Sequence, residues 1–423
     1  MNNSVIRGSP AWRDGKHSRG GVDGPTPERY PVESLPSMDG VRVLPVQGRR
    51  MASQFLKVPW PIYRDDLTWI PPLLIEQRQQ VSSRNAFFRH AKACYWVAYR
   101  GNEPVGRVSA QVDSLHLERH ADATGFFGLL EARDDIAVFR GLLGAAEQWL
   151  REQGLSRIRG PFSLSINEES GLLVEGFDVP PAVKMGHARP YYRHRLEACG
   201  YEKAKDLLAY RLDANFQPPH VMRATVSRLA ARTRVRPLDW SRFDAELDLL
   251  RDIFNDAWAS NWGFVPFTRE EFRHVGNSLK MLVDPEFVQI AEVDGDPAAM
   301  IVLLPNVNEA IRDLNGRLMP IGWLKLLWRV KWRFPETARV PLMGVRSRYQ
   351  GTALGSALAF LVVDALRGPG LRRGIRTVEL SWILEDNRSM RNIIERIGGV
   401  AYKRYRVYDK CLLKSSARDI VTA

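Results

Sequence analysis

The sequence predicts an α/β chain in which one folding unit occurs twice. Three observations lead there. A β-hairpin, a strand, a helix and a further strand follow one another in the first half, and the same order returns in the second. At 423 residues the chain has the length of two ordinary domains. Its hydrophobic content of 45% is enough to fill two cores.

The first 40 residues are rich in Gly, Pro, Ser and charge and carry no apolar segment, so they are expected to form a disordered tail without a secretory signal. Folded structure is expected from about Val41, with the first domain spanning 41–215 and the second 216–423. Pro218-Pro219 mark the boundary. "FLKVPWPIYRDDLTWIPPL" (Phe55 to Leu73) is aromatic and proline-punctuated and reads as irregular. "ACYWVAYRGNEPVGRVSAQVD" reads as a hairpin around Gly101-Asn102-Glu103-Pro104. "GFFGLLEARDD" follows as a short strand. "IAVFRGLLGAAEQWLREQG" has helical spacing and a C-terminal glycine, Gly154, and "SRIRGPFSLS" is the next strand.

The second domain opens with a helix, Phe243 to Trp258. "FVQIAEVDGDPAAMIVLLP" is its hairpin, with the turn at Asp294 to Pro297. "VPLMGVRS" is a strand, "TALGSALAFLVVDAL" a helix, "IRTVELSWILE" a strand, and "NRSMRNIIERIGG" a helix closed by glycines. No apolar run reaches the roughly 20 residues of a membrane span. Between hairpin and strand lies an insertion, about 313–336, containing "GWLKLLWRVKWRF". At helical spacing Lys325, Arg329 and Arg333 line one side, with Trp323, Leu324, Leu327 and Val330 on much of the other. Such a basic, tryptophan-bearing helix suits either a membrane interface with anionic lipids or packing on its own domain.

The formal net charge is +13, which implies an anionic partner. Cys94, Cys199 and Cys411 lie far apart. They read as reduced thiols, with no disulfide framework and no metal-ligand spacing.

The stretch "MGVRSRYQGTALG" carries the chemistry. A strand that feeds a helix through a glycine-bearing turn leaves several backbone N–H groups pointing together, favourable for an anion. Glycine admits close approach. The stretch is neither a Walker A sequence nor GxGxxG; it fits Arg/Gln-x-x-Gly-x-Gly/Ala as Arg348-Tyr349-Gln350-Gly351-Thr352-Ala353.

With its order of strand, loop, long helix, strand, Asp-Asn and helix, the run Val340 to Tyr408 resembles the GNAT superfamily of acyl-CoA-dependent acyltransferases. The resemblance implies two tandem GNAT-like domains, each a mixed, mostly antiparallel sheet flanked by helices. It implies acyl-CoA as donor, no metal, and a pyrophosphate site at Val345, Arg346, Arg348, Gln350, Gly351, Thr352, Ala353, Leu354 and Gly355, with Asn387 opening the following helix. Backbone N–H in the region Met343 to Val345 would serve the thioester carbonyl. Where many of these enzymes place a tyrosine as acid to the thiolate, this chain has Ile394, leaving Tyr402, Tyr405 or Tyr408 as substitutes. The first domain offers Glu131, Asp134 and Asp135 at the equivalent loop, which would repel a pyrophosphate. It is therefore expected to complete the acceptor pocket.

A narrower resemblance rests on "YRDDLTWIPPL", "GPFSLSINEESGLLVEGFDVPP", "YYRHRLEACGYEKAKDLLAY", "AWASNWGFVPFT" and "ELSWILEDN". These look like a tandem-GNAT bacterial N-acyltransferase family that includes the bacterial ceramide synthases. The resemblance implies a lipidic amine acceptor, best matched by a sphingoid base. The basic amphipathic insertion favours a peripheral place at the inner face of the membrane, the reduced thiols a cytoplasmic protein, and the CoA-type loop makes nucleic acid an unexpected partner. Acylation of a soluble amine and a non-catalytic acyl-CoA sensor are the alternatives.

Four candidates stand for proton transfer. Glu385 and Asp386 lie at the open end of a strand, where Asp386 also suits a helix cap. Glu379 lies deeper and needs a partner if buried. His187, in "KMGHARPYY", has an ordinary pKa suited to taking a proton near neutrality. Candidate acceptor contacts are Asn167, Glu168, Tyr191, Tyr192, Trp258, Asn261 and Trp382.

Overall fold

A computed structural model describes residues 39–280 and 283–413. The expected N-terminal tail lies almost wholly outside the described residues. Among the described residues thirteen strands make one sheet. They are β1 (Val41–Pro45), β2 (Ala91–Arg100), β3 (Glu103–Asp113), β4 (Thr124–Ala132), β5 (Arg157–Gly160), β6 (Leu172–Glu175), β7 (Glu202–Asp213), β8 (Thr233–Pro237), β9 (Val288–Val293), β10 (Asp296–Pro305), β11 (Thr337–Val345), β12 (Thr377–Leu384) and β13 (Val400–Cys411). The spatial order is β1-β2-β3-β4-β5-β13-β7-β12-β11-β10-β9-β8, with β6 paired to β13.

The repeat read from the sequence is present. β2–β3 and β9–β10 are the two hairpins. Helices Ile136–Glu152 and Ala353–Arg372 occupy equivalent places, each after a strand and before its parallel partner. Among the described residues only two strand pairs are parallel, β4–β5 and β11–β12, and the sheet is otherwise antiparallel. This is the mixed α/β class expected. The segment from Phe55 departs from expectation. It begins inside a helix, Gly48–Lys57, and adds a helical turn at Pro59–Ile62 before becoming irregular.

The halves exchange their last strands. β7, from the first half, pairs with β12 of the second, while β13, from the second half, pairs with β5 of the first. β7 and β13 also pair with each other, from Val400↔Arg211 to Asp409↔Glu202. Backbone hydrogen bonding therefore runs unbroken across the junction. Apolar cores form under each half. Trp96, Phe127, Phe139 and Trp149 lie in one; Leu358, Phe360, Val362 and Ile394 lie in the other. Helix Ala353–Arg372 is, by length and composition alone, long and apolar enough to cross a membrane. That corrects the expectation of no such run, but half of it is buried in the protein, where it packs on β9 and β10.

Candidate active site

β11 and β12 pair only from Thr337↔Thr377 to Val340↔Leu380. Beyond that register they part. The Met343 carbonyl, past the parting, accepts from Trp258 Nε1 at 2.8 Å. A strand residue sends its N–H and C=O to the same edge, and the edge alternates from residue to residue, so of Met343, Gly344 and Val345 the amides of Met343 and Val345 face the gap and that of Gly344 faces β10. Trp382, on β12, meets Trp258 edge-on with ring centroids 5.4 Å apart. Two expected acceptor contacts thus meet across the gap.

The glycine-bearing loop follows β11. Gly351 has φ +72°, the left-handed region that glycine adopts without strain. Gly355 has no room for a side chain, because a Cβ there would lie 2.0 Å from the Tyr349 carbonyl oxygen. Thr352 caps the helix, its Oγ1 accepting from Gly355 N at 3.0 Å. The amides of Ala353 and Leu354 remain as first-turn donors without helical acceptors. Gln350 Nε2 closes the loop onto the Ala257 and Val345 carbonyls, each at 2.8 Å. Arg346 is held by Asp252 at 2.7 Å and by the Pro297 carbonyl. Ser347 is held by Asp256. Arg348 stays exposed, 3.7 Å from Asp296. An exposed helix N-terminus, a positive-φ glycine and a neighbouring guanidinium fit a pyrophosphate.

The four proton-transfer candidates separate sharply. Glu385 accepts from Lys203 at 2.7 Å and from the Asp206 amide at 3.0 Å. Asp386 pairs with Lys205 at 2.7 Å, and burial cannot lift its carboxyl against that lysine, which holds it below the usual carboxylate range. Asp386 does not cap the next helix. Asn387 does, accepting from Met390 N at 3.1 Å. Glu379 is buried and accepts from Ser381 Oγ and Tyr402 OH, with Arg339 at 3.9 Å, which answers its need for partners.

His187 differs. Its side chain is only 4% exposed, and Nε2 lies 2.9 Å from Asp66 Oδ2. Burial alone would raise the Asp66 carboxyl, but hydrogen bonds from His187 and Thr68 outweigh it and bring the group down to about 2. An ionised carboxylate only accepts, so Nε2 carries the proton and Nδ1 keeps its lone pair. Nδ1 is buried without a hydrogen-bond partner. Burial holds the imidazole below its ordinary pKa even though Asp66 pulls the other way. One ring nitrogen is thus oriented and the other left without a partner, the arrangement a general base requires.

His187 stands on a segment of the first half that reaches onto the second. Arg339 of β11 donates to the Val183 and Lys184 carbonyls at 3.0 and 3.2 Å. Lys403 of β13 donates to the Val179 carbonyl at 2.6 Å, and Asn308 to the Pro181 carbonyl at 3.0 Å. Val183 shares a core with Ile253, Phe254 and partly buried Leu342, bringing this segment against the elements that border the gap. Beside it, Asn167 Nδ2 donates to the Val265 carbonyl at 2.9 Å, tying its turn to the segment that holds Trp258 and Asn261. Glu168 accepts from Gln80 at 2.8 Å. Burial raises both Glu168 and Glu169. Tyr191 and Tyr192 lie behind His187, where Tyr63 bonds both Glu131 and the His187 carbonyl. Their hydroxyls are taken at the end of β4, by the Ala132 carbonyl at 2.7 Å and by Glu131 at 2.8 Å. Burial lifts Glu131 to about 7 despite Arg107 and the two tyrosine donors, Tyr63 and Tyr192. Ile394 is core, while Tyr405 and Tyr408 have buried hydroxyls without partners among the described residues.

Sequence reasoning missed Asp66 and Arg339. Asp66 was in view within "YRDDLTW", yet its partner lies 121 positions away. No group of His, Cys, Asp and Glu suited to a metal occurs among the described residues.

No family model matches the chain. Protein YghO of Escherichia coli (strain K12) is 50% identical over 359 residues, covering 84% of this chain and 92% of that protein. Bacterial ceramide synthase of Caulobacter vibrioides (strain NA1000 / CB15N) is 45% identical over 373 residues, covering 88% of this chain and 97% of that protein. A solved tandem GNAT protein from the clavulanic acid biosynthesis pathway matches with a TM-score of 0.52 at 13% identity, over 89% of this chain and 100% of its own, which shows the fold.

Proposed function

This chain belongs to the family of Protein YghO and Bacterial ceramide synthase, and from that premise we propose that it moves a fatty acyl group from acyl-CoA to the amine of a lipidic acceptor, best matched by a sphingoid base such as 3-ketosphinganine. It is an N-acyltransferase of tandem GNAT fold, for which acyl-CoA is the donor implied. The observation that carries the finer reading is the parting of β11 and β12 beside a glycine loop, with His187 held on the adjoining segment.

In this reading the pyrophosphate lies on the amides of Gly351 to Gly355 and the thioester in the parting. The second half supplies the donor site; the first supplies the far wall of the acceptor pocket through Asn167, Glu168 and His187. The acceptor's ammonium gives one proton to His187 Nδ1. The freed nitrogen attacks the thioester carbonyl, whose oxygen takes the Met343 amide as donor. The C–S bond then breaks, and the thiolate takes the second proton shed by the nitrogen. Placing both reactants side by side supplies most of the acceleration. The enzyme works at the cytoplasmic face of the membrane, with helix Gly322–Trp332 toward the lipid.

The test offers purified protein palmitoyl-CoA with 3-ketosphinganine, sphinganine, glycine, ornithine and polyamines, and reads N-acyl products by mass spectrometry. Products with the sphingoid bases alone are expected. Products with soluble amines alone would overturn the acceptor assignment.

A further inference from the structure

Nine of the thirteen large apolar side chains that stand exposed among the described residues fall in two short segments, one from each half. Leu67, 84% exposed, and Ile75 belong to the first. The second runs from Met319, 73% exposed, through Trp323, Leu324, Leu327 and Trp328. The segments are fastened together. Arg312 donates to the Leu67 carbonyl at 2.7 Å, Trp60 Nε1 to Asn315 Oδ1 at 2.7 Å, and Leu74 N to the Gly316 carbonyl at 3.0 Å. Ile70 and Leu73 share a small core with Ile311 and Leu314. The exposed side chains therefore ride on a packed base.

Helix Gly322–Trp332 sits on this base in the reverse of a water-facing arrangement. Sequence periodicity expected a basic edge in solvent if the helix packed on its own domain. Instead Arg329 reaches inward, to both carboxylate oxygens of Asp313 and to the Ala310 carbonyl at 2.7 Å. Lys325 lies 3.8 Å from the same Asp313. Apolar surface left in water is unfavourable by about 25 cal/mol per Å², and contiguous patches of it mark a contact surface. Around this one, Arg64, Arg317 and Arg333 are exposed and in no ion pair among the described residues. Exposed tryptophan and leucine on segments that carry these three unpaired arginines, against one exposed unpaired carboxylate beside them, Asp65, match the chemistry of an anionic bilayer interface. The same first-half segment carries Tyr63 and Asp66, which hold His187 by its carbonyl and its ring.

We infer that this two-segment face docks the protein on an anionic lipid bilayer and that the lipidic acceptor enters from that side; the inference rests on the lipid-acceptor reading above. The N-terminal half is thus part of the docking surface.

The experiment floats the full chain with vesicles of phosphatidylcholine alone and of phosphatidylcholine mixed equally with phosphatidylglycerol. Wild type is expected to float with the anionic vesicles and far less with the neutral ones. L67E/I75E and W323E/W328E are each expected to lose about tenfold in partitioning. Both pairs change exposed positions, and acylation of a sphingoid base in detergent micelles reports that the variants remain folded. L67E/I75E floating as wild type would overturn the two-segment surface, as would equal flotation on neutral and anionic vesicles for its charge. Self-association in light scattering with no flotation would assign the face to a second copy and overturn the inference. If micellar acylation persists through any of these, the failure is of the docking surface; if wild type acylates no lipidic amine, the lipid-acceptor reading itself has failed.

Discussion

The two parallel strand pairs begin alike and end differently. β4 and β5 pair from Thr124↔Arg157 to Phe126↔Arg159 and then part, as β11 and β12 do. In the first half the chain fills its own opening. Phe162 N donates to the Phe127 carbonyl at 2.8 Å, and Gln111 Nε2 donates to the Phe162 and Leu164 carbonyls at 2.8 and 3.2 Å. The fit is so close that a Cβ on Gly128 would lie 1.6 Å from the Phe162 carbonyl oxygen. In the second half the glycine loop and helix mouth stand exposed. Of the two repeated units, one thus leaves its opening free for the donor site proposed above. The other unit's backbone satisfies itself, and its segment 179–184 reaches across to β11 and β13.

The largest expected effect tests that reach. His187→Gln should lower kcat/KM by about a thousandfold while leaving CoA affinity unchanged in calorimetry. Equal loss of both would place His187 in structure alone. Next, Ala353→Glu puts a carboxylate where the pyrophosphate is proposed to lie. A glutamate in the first turn suits the helix itself, so the fold should persist while CoA affinity falls about a hundredfold. A smaller loss of activity, about tenfold, is expected from Asp66→Asn. In the proposed mechanism the neutral form of His187 is the active one, and burial holds its pKa below the ordinary value. Wild-type kcat/KM should therefore be full near neutrality and fall as acid protonates Nδ1, below about pH 6.5. Asn at 66 removes the carboxylate that opposes this, so the acid limb should move to still lower pH.

Gly128→Ala sharpens the contrast from the other side. It should cost about 3 kcal/mol in denaturant unfolding, from overpacking of the plug. Calorimetric stoichiometry should stay at a single CoA per chain. The smallest effect concerns the seam between halves. His90 lies between Asp113 at 3.0 Å and Glu271 at 3.1 Å. Burial would lower its pKa, but the two carboxylates raise it to about 9. A raised folded pKa stabilises fully below the unfolded value of about 6.5 and is lost as pH rises through about 9. Unfolding free energy should decline across that window, and His90→Gln should flatten the decline.

Elements with local signals were legible in the sequence. Helix Ile136–Glu152 shows its apolar periodicity and ends before Gly154, and the hairpin Val288–Pro305 shows its Asp-Gly turn. The glycine loop was legible because its backbone demands leave a mark in residue type. Strand exchange was not. β7 and β13 read as apolar strands whatever their neighbours, and pairing across 200 residues leaves no local trace. The same limit hid the Asp66–His187 pair and the inward turn of Arg329, whose Asp313 lies in a separate turn. Two short-range readings also shifted: Asn387, one residue on, took the cap that Asp386 suited, and Lys203 and Lys205 claimed the carboxylates of Glu385 and Asp386.

Hydrogen-exchange mass spectrometry of the full chain, with and without palmitoyl-CoA, tests the contrast between the two openings most directly. Slowed exchange across 343–355 with none across 128–137 is the predicted result. Protection of 128–137, alone or together with 343–355, would contradict it, because the plugged opening would then be a donor site.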